Sequence, residues 1–176
     1  MPPRKSALRF HSRWCAVMVA AVRGLALGGG CEFPMHSAKT VASLESYMGL
    51  VEAGVGLLPA GGGLKEIAVR ASQAAGPGGD VFAELKKTFE TVAMAKVSAS
   101  AMEAQELGLL RKTDRIVFNA YELLYVAKQE ALALAESGYR PPLPARRIQV
   151  AGDVGIATFK MMLVNMLEGR FISEYD

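Results

Sequence analysis

The chain has 176 residues, enough for one domain with a real hydrophobic core. Hydrophobic residues make up 51% and charged residues 21%, a globular balance that excludes a disordered chain. The net charge of +3 is small, and no basic stripe interleaved with aromatics occurs, so nucleic acid is not an expected partner.

Residues 1–15 form a basic segment carrying Arg4, Lys5, Arg9 and Arg13, with at most one helical turn around 7–10. The apolar run from Trp14 to Val22 imitates a secretory signal peptide. It is too short to span a bilayer, which takes roughly 20 apolar residues. It reads better as a buried strand over 16–22, because cleavage there would strip the glycine motif behind it of its support. Residues 24–30 are a glycine loop that opens a short helix at about 31–37. Short strands are expected over 39–43 and 46–50, a Gly/Pro loop over 54–63, and a helix starting over 64–71.

A turn at 76–80 offers Asp80 as a helix N-cap. Phe82, Leu85, Phe89 and Val92 recur at helical spacing and predict a helix over 81–96. A second short helix is expected over 101–109, a strand over 114–117, and a long helix over 120–136 closed by Gly138. Pro141, Pro142 and Pro144 make a linker. A last apolar helix spans 154–167, with Met161, Met162 and Met166 as helix core or an oligomer contact. The pattern is α/β with a helical C-terminal part, divided as 1–15, 16–140 and 141–176.

Two cysteines, Cys15 and Cys31, are too few for a disulfide framework and read as reduced thiols of a cytoplasmic protein. His11 and His36 cannot supply a metal site, and no Cys/His cluster has zinc spacing. His36 reads as a packed or surface histidine, and Trp14 as a core or interface anchor.

Two acids stand out. Glu32 follows the glycine triplet at the start of a short helix, and Glu52 comes twenty residues later. Both lie in apolar, glycine-rich stretches with no Lys or Arg as a sequence neighbour. A carboxylate in such a place is solvated, paired, or tuned for proton transfer. For Glu32 the plain alternative is a helix-N-terminal acid favoured by the dipole. Gly28, Gly29 and Gly30 let backbone N–H groups face outward at a helix N-terminus, where they can bind phosphate or a developing oxyanion. The spacing fails the dinucleotide pattern, and the second cluster, Gly61-Gly62-Gly63-Leu64-Lys65, fails the P-loop pattern. The oxyanion function is left as the better one.

The stretch Ala20-Ala21-Val22-Arg23-Gly24-Leu25-Ala26-Leu27-Gly28-Gly29-Gly30-Cys31-Glu32 resembles the crotonase (enoyl-CoA hydratase/isomerase) signature. Met48-Gly49-Leu50-Val51-Glu52, continuing to Pro59-Ala60-Gly61-Gly62-Gly63, is similar to the second signature of that family, and residues 101–109 to a later segment. The resemblance covers about residues 16–140 and implies a partial crotonase-like fold. It implies that Gly29 donates an N–H to a thioester oxyanion, and that Glu32 and Glu52 hold the water that adds across a trans-2-enoyl-CoA. Leu27, Gly28, Gly30, Pro59 and Gly61 would line the oxyanion and substrate site. It implies a lyase of fatty acid β-oxidation whose substrate is a coenzyme A thioester, with no metal or redox cofactor. Many isomerase relatives keep one acid, so the pair favours hydration. The other class is a non-catalytic remnant or assembly module.

Tyr139-Arg140-Pro141-Pro142 and residues 169–176 resemble bacterial β-oxidation proteins that join a 3-hydroxyacyl-CoA dehydrogenase part to a hydratase-like domain. No dinucleotide fingerprint occurs in this chain. Family members carry a long segment before the first signature, where this chain has only about twenty residues. The expectation is therefore a core lacking its first strands, with open strand edges. Its partners would be the acyl-CoA substrate and either further copies of itself or a chain supplying the absent segment. One missing oxyanion donor costs roughly 10²–10³ in rate, so activity of the chain alone is expected to be weak. Val51 stands where the family has Pro, and Ala60 where it has Gly. Lys65 and Lys96 are candidates to meet CoA phosphates, with nothing in the sequence selecting them.

Overall fold

The computed structural model describes residues 17–175. Trp14, Cys15, Ala16 and the helical turn expected at 7–10 lie outside the described residues.

The apolar run forms strand β1 (Val19–Leu27), followed by helix α1 (Gly29–His36) and strand β2 (Lys39–Gly49). β1 and β2 are parallel, from Val19 opposite Lys39 to Leu27 opposite Gly49. Parallel neighbours need a crossover, and α1 is that crossover. Strand β3 (Arg115–Val117) pairs in parallel with the other side of β2, so the order is β1-β2-β3.

Two sequence expectations change here. The strand expected to stop at Val22 runs on to Leu27, and the strands expected at 39–43 and 46–50 are one. The cause is a bulge: Val22 pairs with Ala42, but Gly24 pairs with Ser46. Gly24 takes a φ of 69° there without ending the strand. The Ser46 hydroxyl donates to the Val22 carbonyl at 3.0 Å and lies 3.3 Å from the Ser43 hydroxyl. Both serines are buried, so these bonds satisfy backbone and side-chain groups that the bulge leaves without water.

The remaining helices are α2 (Gly63–Ala75), α3 (Val81–Ala93), α4 (Ala101–Glu106), α5 (Leu123–Glu136) and α6 (Gly152–Glu168). Asp80 caps α3 as expected, accepting from the Phe82 and Ala83 N–H groups. α3 stops short of Lys96 because Ala95 turns left-handed at φ 48°. α4 stops at Glu106, ahead of Gly108 at φ 76°. A 3-10 turn over Ala120–Glu122 precedes α5.

Neighbouring residues on β2 face opposite sides of the sheet. Ala42 and Met48 join Val22, Cys31, Met35, Leu50, Ile67, Ala104 and Leu109 in the larger core. Val41 packs instead with Val117, Leu123 and Ala127 under α5. α6 rests on α3 through Phe159, stacked 4.5 Å from Phe89 and tilted 5.3 Å from Phe82. Of its methionines, Met161 is 59% exposed, so it is not core; Met162 and Met166 are half-buried. Among the described residues no helix is long and apolar enough to cross a membrane.

β1 lies at one edge of the described sheet. Beside it runs an open groove that includes Met18, Leu25, Phe33 and Pro34. Leu25 and Phe33 are 73% and 63% exposed among the described residues.

Candidate functional site

The site is built where β1 ends and α1 begins. Leu27 closes the strand half-buried, and Gly28 makes the turn at φ 56° and ψ −127°, a region open to glycine alone. The Gly28 N–H donates to the Gly49 carbonyl at 2.9 Å, tying the turn to the end of β2. That bond corrects the expectation that all three glycine N–H groups face outward: the Gly28 amide is occupied, and Gly28 shapes the turn. Gly29 and Gly30 are exposed at the first turn of α1, and among the described residues neither amide meets a backbone acceptor outside the helix. They are the orphan donors of a helix N-terminus, at its positive end.

Glu32 sits one turn in and is 7% exposed. Its Oε1 accepts the Gly63 N–H at 2.8 Å, the first amide of α2. Gly61 lies against the same carboxylate so closely that a Cβ there would overlap Glu32 Oε2. Gly62 faces the His36 ring, and His36 Nδ1 lies 2.8 Å from the Glu32 carbonyl. A carbonyl only accepts, so Nδ1 is the ring nitrogen that carries the proton. His36 is exposed and touches the backbone of Glu32.

Glu52 opens a 3-10 turn (Glu52–Val55) just past β2. Its Oε1 would lie 3.2 Å from a Cβ built on Gly28, so its carboxylate borders the glycine turn. Its Oε2 is buried with no hydrogen-bond partner. The two acids, twenty residues apart in sequence, thus both belong to the start of α1: Glu32 in its first turn, Glu52 against the glycine turn before it. Pro59 is fully buried and fixes the loop that returns to Gly61. Lys65 is exposed, and Lys96 pairs with Glu103 at 2.8 Å.

Cys31 lies fully buried, close enough to both acids to feel their charge. Burial pushes its thiol up to about 12 from 9.0, and the charges of Glu52 and Glu32 add to the rise. A hydrogen bond with the Gly49 backbone and the charge of Arg70 oppose it. The folded thiol therefore keeps its proton where the unfolded one loses it. This contribution to stability is intact below about pH 9 and is lost as pH climbs toward about 12, by at most about 4 kcal/mol. Cys31→Ala should flatten this alkaline loss. Urea unfolding of both chains at about pH 8 and about pH 10.5 measures it; parallel losses in the two would contradict the assignment.

Sequence reasoning missed the groups that hold α1 from behind. Arg70 and Arg111 reach carbonyls at its C-terminal end. Burial lowers the Arg70 guanidinium below its ordinary value, against the support of Glu66. Only the Glu66–Arg70 pair had a signal in the sequence, as an i, i+4 ion pair on one helix. Among the described residues no three His, Cys, Asp or Glu side chains gather as a metal site.

No protein-family model matches the chain. A Bacillus subtilis protein described as a probable 3-hydroxyacyl-CoA dehydrogenase is 46% identical over 159 residues, 90% of this chain and 20% of that protein. The crotonyl-CoA hydratase of Syntrophomonas wolfei is 31% identical over 80% of this chain and 46% of its own length. The solved structure of an enoyl-CoA hydratase subunit from Geobacillus kaustophilus superposes at a TM-score of 0.51, with 33% identity, over 68% of this chain and 40% of that one. The chain belongs to the crotonase family. Its parallel sheet with a helical C-terminal part is a crotonase fold. The chain spans less than half the length of each of these relatives.

Proposed function

We propose that this crotonase core hydrates trans-2-enoyl-CoA thioesters in fatty acid β-oxidation. The observation that carries the proposal is that Glu32 lies in the first turn of α1 while the Glu52 carboxyl borders the glycine turn just before it. The Gly63 N–H holds Glu32 Oε1 at 2.8 Å, which orients this carboxyl group to act as the base. Glu52 Oε2 is buried with no hydrogen-bond partner, which leaves it open to exchange a proton with a bound substrate.

In the reaction Glu32 takes a proton from water as the water oxygen bonds to C3. The electron pair of the C2–C3 bond moves toward the thioester, whose oxygen gains negative charge. The Gly29 N–H, at the positive end of α1, stabilises that charge. Glu52 delivers its proton to C2, and the pair resets by exchange with solvent. Leu27, Gly30, Pro59 and Gly61 would line the substrate. No metal or redox cofactor enters this scheme. The chain would work in the cytoplasm, as copies of itself or beside a chain segment supplying further oxyanion and CoA contacts, and slowly when alone.

The experiment incubates the chain with a short trans-2-enoyl-CoA and follows the 3-hydroxyacyl-CoA by chromatography. Slow turnover, abolished by loss of either acid, supports the proposal. Turnover that survives replacement of both Glu32 and Glu52 by Gln contradicts it, and no product at any enzyme concentration supports a non-catalytic module.

A further inference from the structure

We infer that Arg70 and Arg111, bridged by Glu66, are positioning residues that clamp the far end of α1 and so set the Glu32 carboxylate; the effect on turnover rests on the hydratase proposal, the effect on geometry does not. α1 has eight residues, about 12 Å of helix. The last carbonyls of a helix have no partner within it. Three near this end are met locally: Glu32 by His36, Phe33 by the Ser37 hydroxyl, and Pro34 by the Thr40 hydroxyl. Met35 and Ser37 are met from outside. The Met35 carbonyl accepts from Arg70 Nη2 at 2.9 Å and Arg111 Nη2 at 2.6 Å, and the Ser37 carbonyl accepts from Arg111 Nη1 at 2.9 Å.

Both cations are shielded, at 16% and 32% side-chain exposure, and sit at the negative end of the helix. Glu66 Oε1 lies 3.1 Å from Arg70 Nε and 3.7 Å from Arg111 Nη2, holding the two guanidiniums side by side. Arg70 also donates to the Gly108 and Leu109 carbonyls at 2.7 and 3.0 Å, anchoring the clamp beyond α4. The arrangement matters because of where Arg70 comes from. α2 starts with the Gly63 amide that holds Glu32 and carries Arg70 two turns later. One helix therefore grips α1 twice, at the Glu32 carboxylate and at the Met35 carbonyl. Loosening the second grip lets α1 shift against α2 and stretches the first.

The test compares Arg70→Met, Arg111→Met and Arg111→Lys with the parent chain, and uses Lys87→Met as a control that removes a cation from the exposed Lys87–Glu84 pair. Arg111→Lys keeps the charge but cannot reach two carbonyls with one planar fork. It carries the test if an Arg→Met change unsettles the whole fold. The first readout is amide hydrogen exchange at Gly63, referenced to amides of α5. Exchange should speed up by about tenfold or more in the Arg variants and stay unchanged in Lys87→Met. The second is turnover: kcat should fall roughly 10–100-fold with KM within about twofold. Unchanged Gly63 protection in the folded Arg variants overturns the clamp whatever the rates are. If the parent chain shows no turnover, the hydratase proposal fails, while the exchange result still decides the clamp.

Discussion

Glu32→Gln should cut hydration by about 10²–10⁴-fold while leaving the fold in place. Gln has nearly the same shape, and its carbonyl oxygen can still accept the Gly63 N–H now bonded at 2.8 Å. What disappears is the basic oxygen that receives the proton from water. Replacing the buried carboxyl by an amide of equal size that keeps the Gly63 bond should change stability by about 1 kcal/mol or less. Product formation over long incubation and thermal unfolding measure the two effects together. A variant that keeps kcat within about threefold of the parent would remove Glu32 from the mechanism.

Gly61→Ala should cost about 10²-fold in kcat and about 1–3 kcal/mol of stability, the worth of the buried Gly63 bond to Glu32. A Cβ at this position overlaps Glu32 Oε2, the mobile end of a side chain rather than backbone. The chain therefore accommodates the methyl group by swinging the carboxylate away, which breaks the Gly63 bond but leaves the backbone in place. Because the damage runs through Glu32, the Gly61→Ala, Glu32→Gln double variant should be no slower than Glu32→Gln alone. Additive losses in that cycle would mean that Gly61 acts by another route, such as direct contact with substrate.

How much was legible follows the range of each interaction. Asp80 accepts from amides two and three residues ahead, so its cap could be read from the turn before an amphipathic run. Gly138, left-handed at φ 70°, stands just past the end of α5 where a terminator was expected. The end of β1 was misjudged because Gly24 inside the run looks like a stop. At Gly24 a buried serine from β2 meets the kinked backbone, and that serine is distant in sequence. The site shows the same division. The acids and glycines announced themselves as residue types at a set spacing. The occupied amide of Gly28 did not, because its acceptor, Gly49, belongs to another strand.

Local chemistry set the ingredients: an apolar strand, a glycine turn onto a helix N-terminus, and two acids in stretches that lack cations. Such features depend on backbone freedom and near neighbours, so they survive in the one-dimensional record. Packing in three dimensions settled the rest: Gly63 holds Glu32, Glu52 presents a buried oxygen with no donor, and two arginines brace α1 from behind. The hydrogen bonds among these contacts join residues 31 to 76 positions apart. They form only when separate elements pack, since a hydrogen bond over such a span needs the whole core to bring its two ends together.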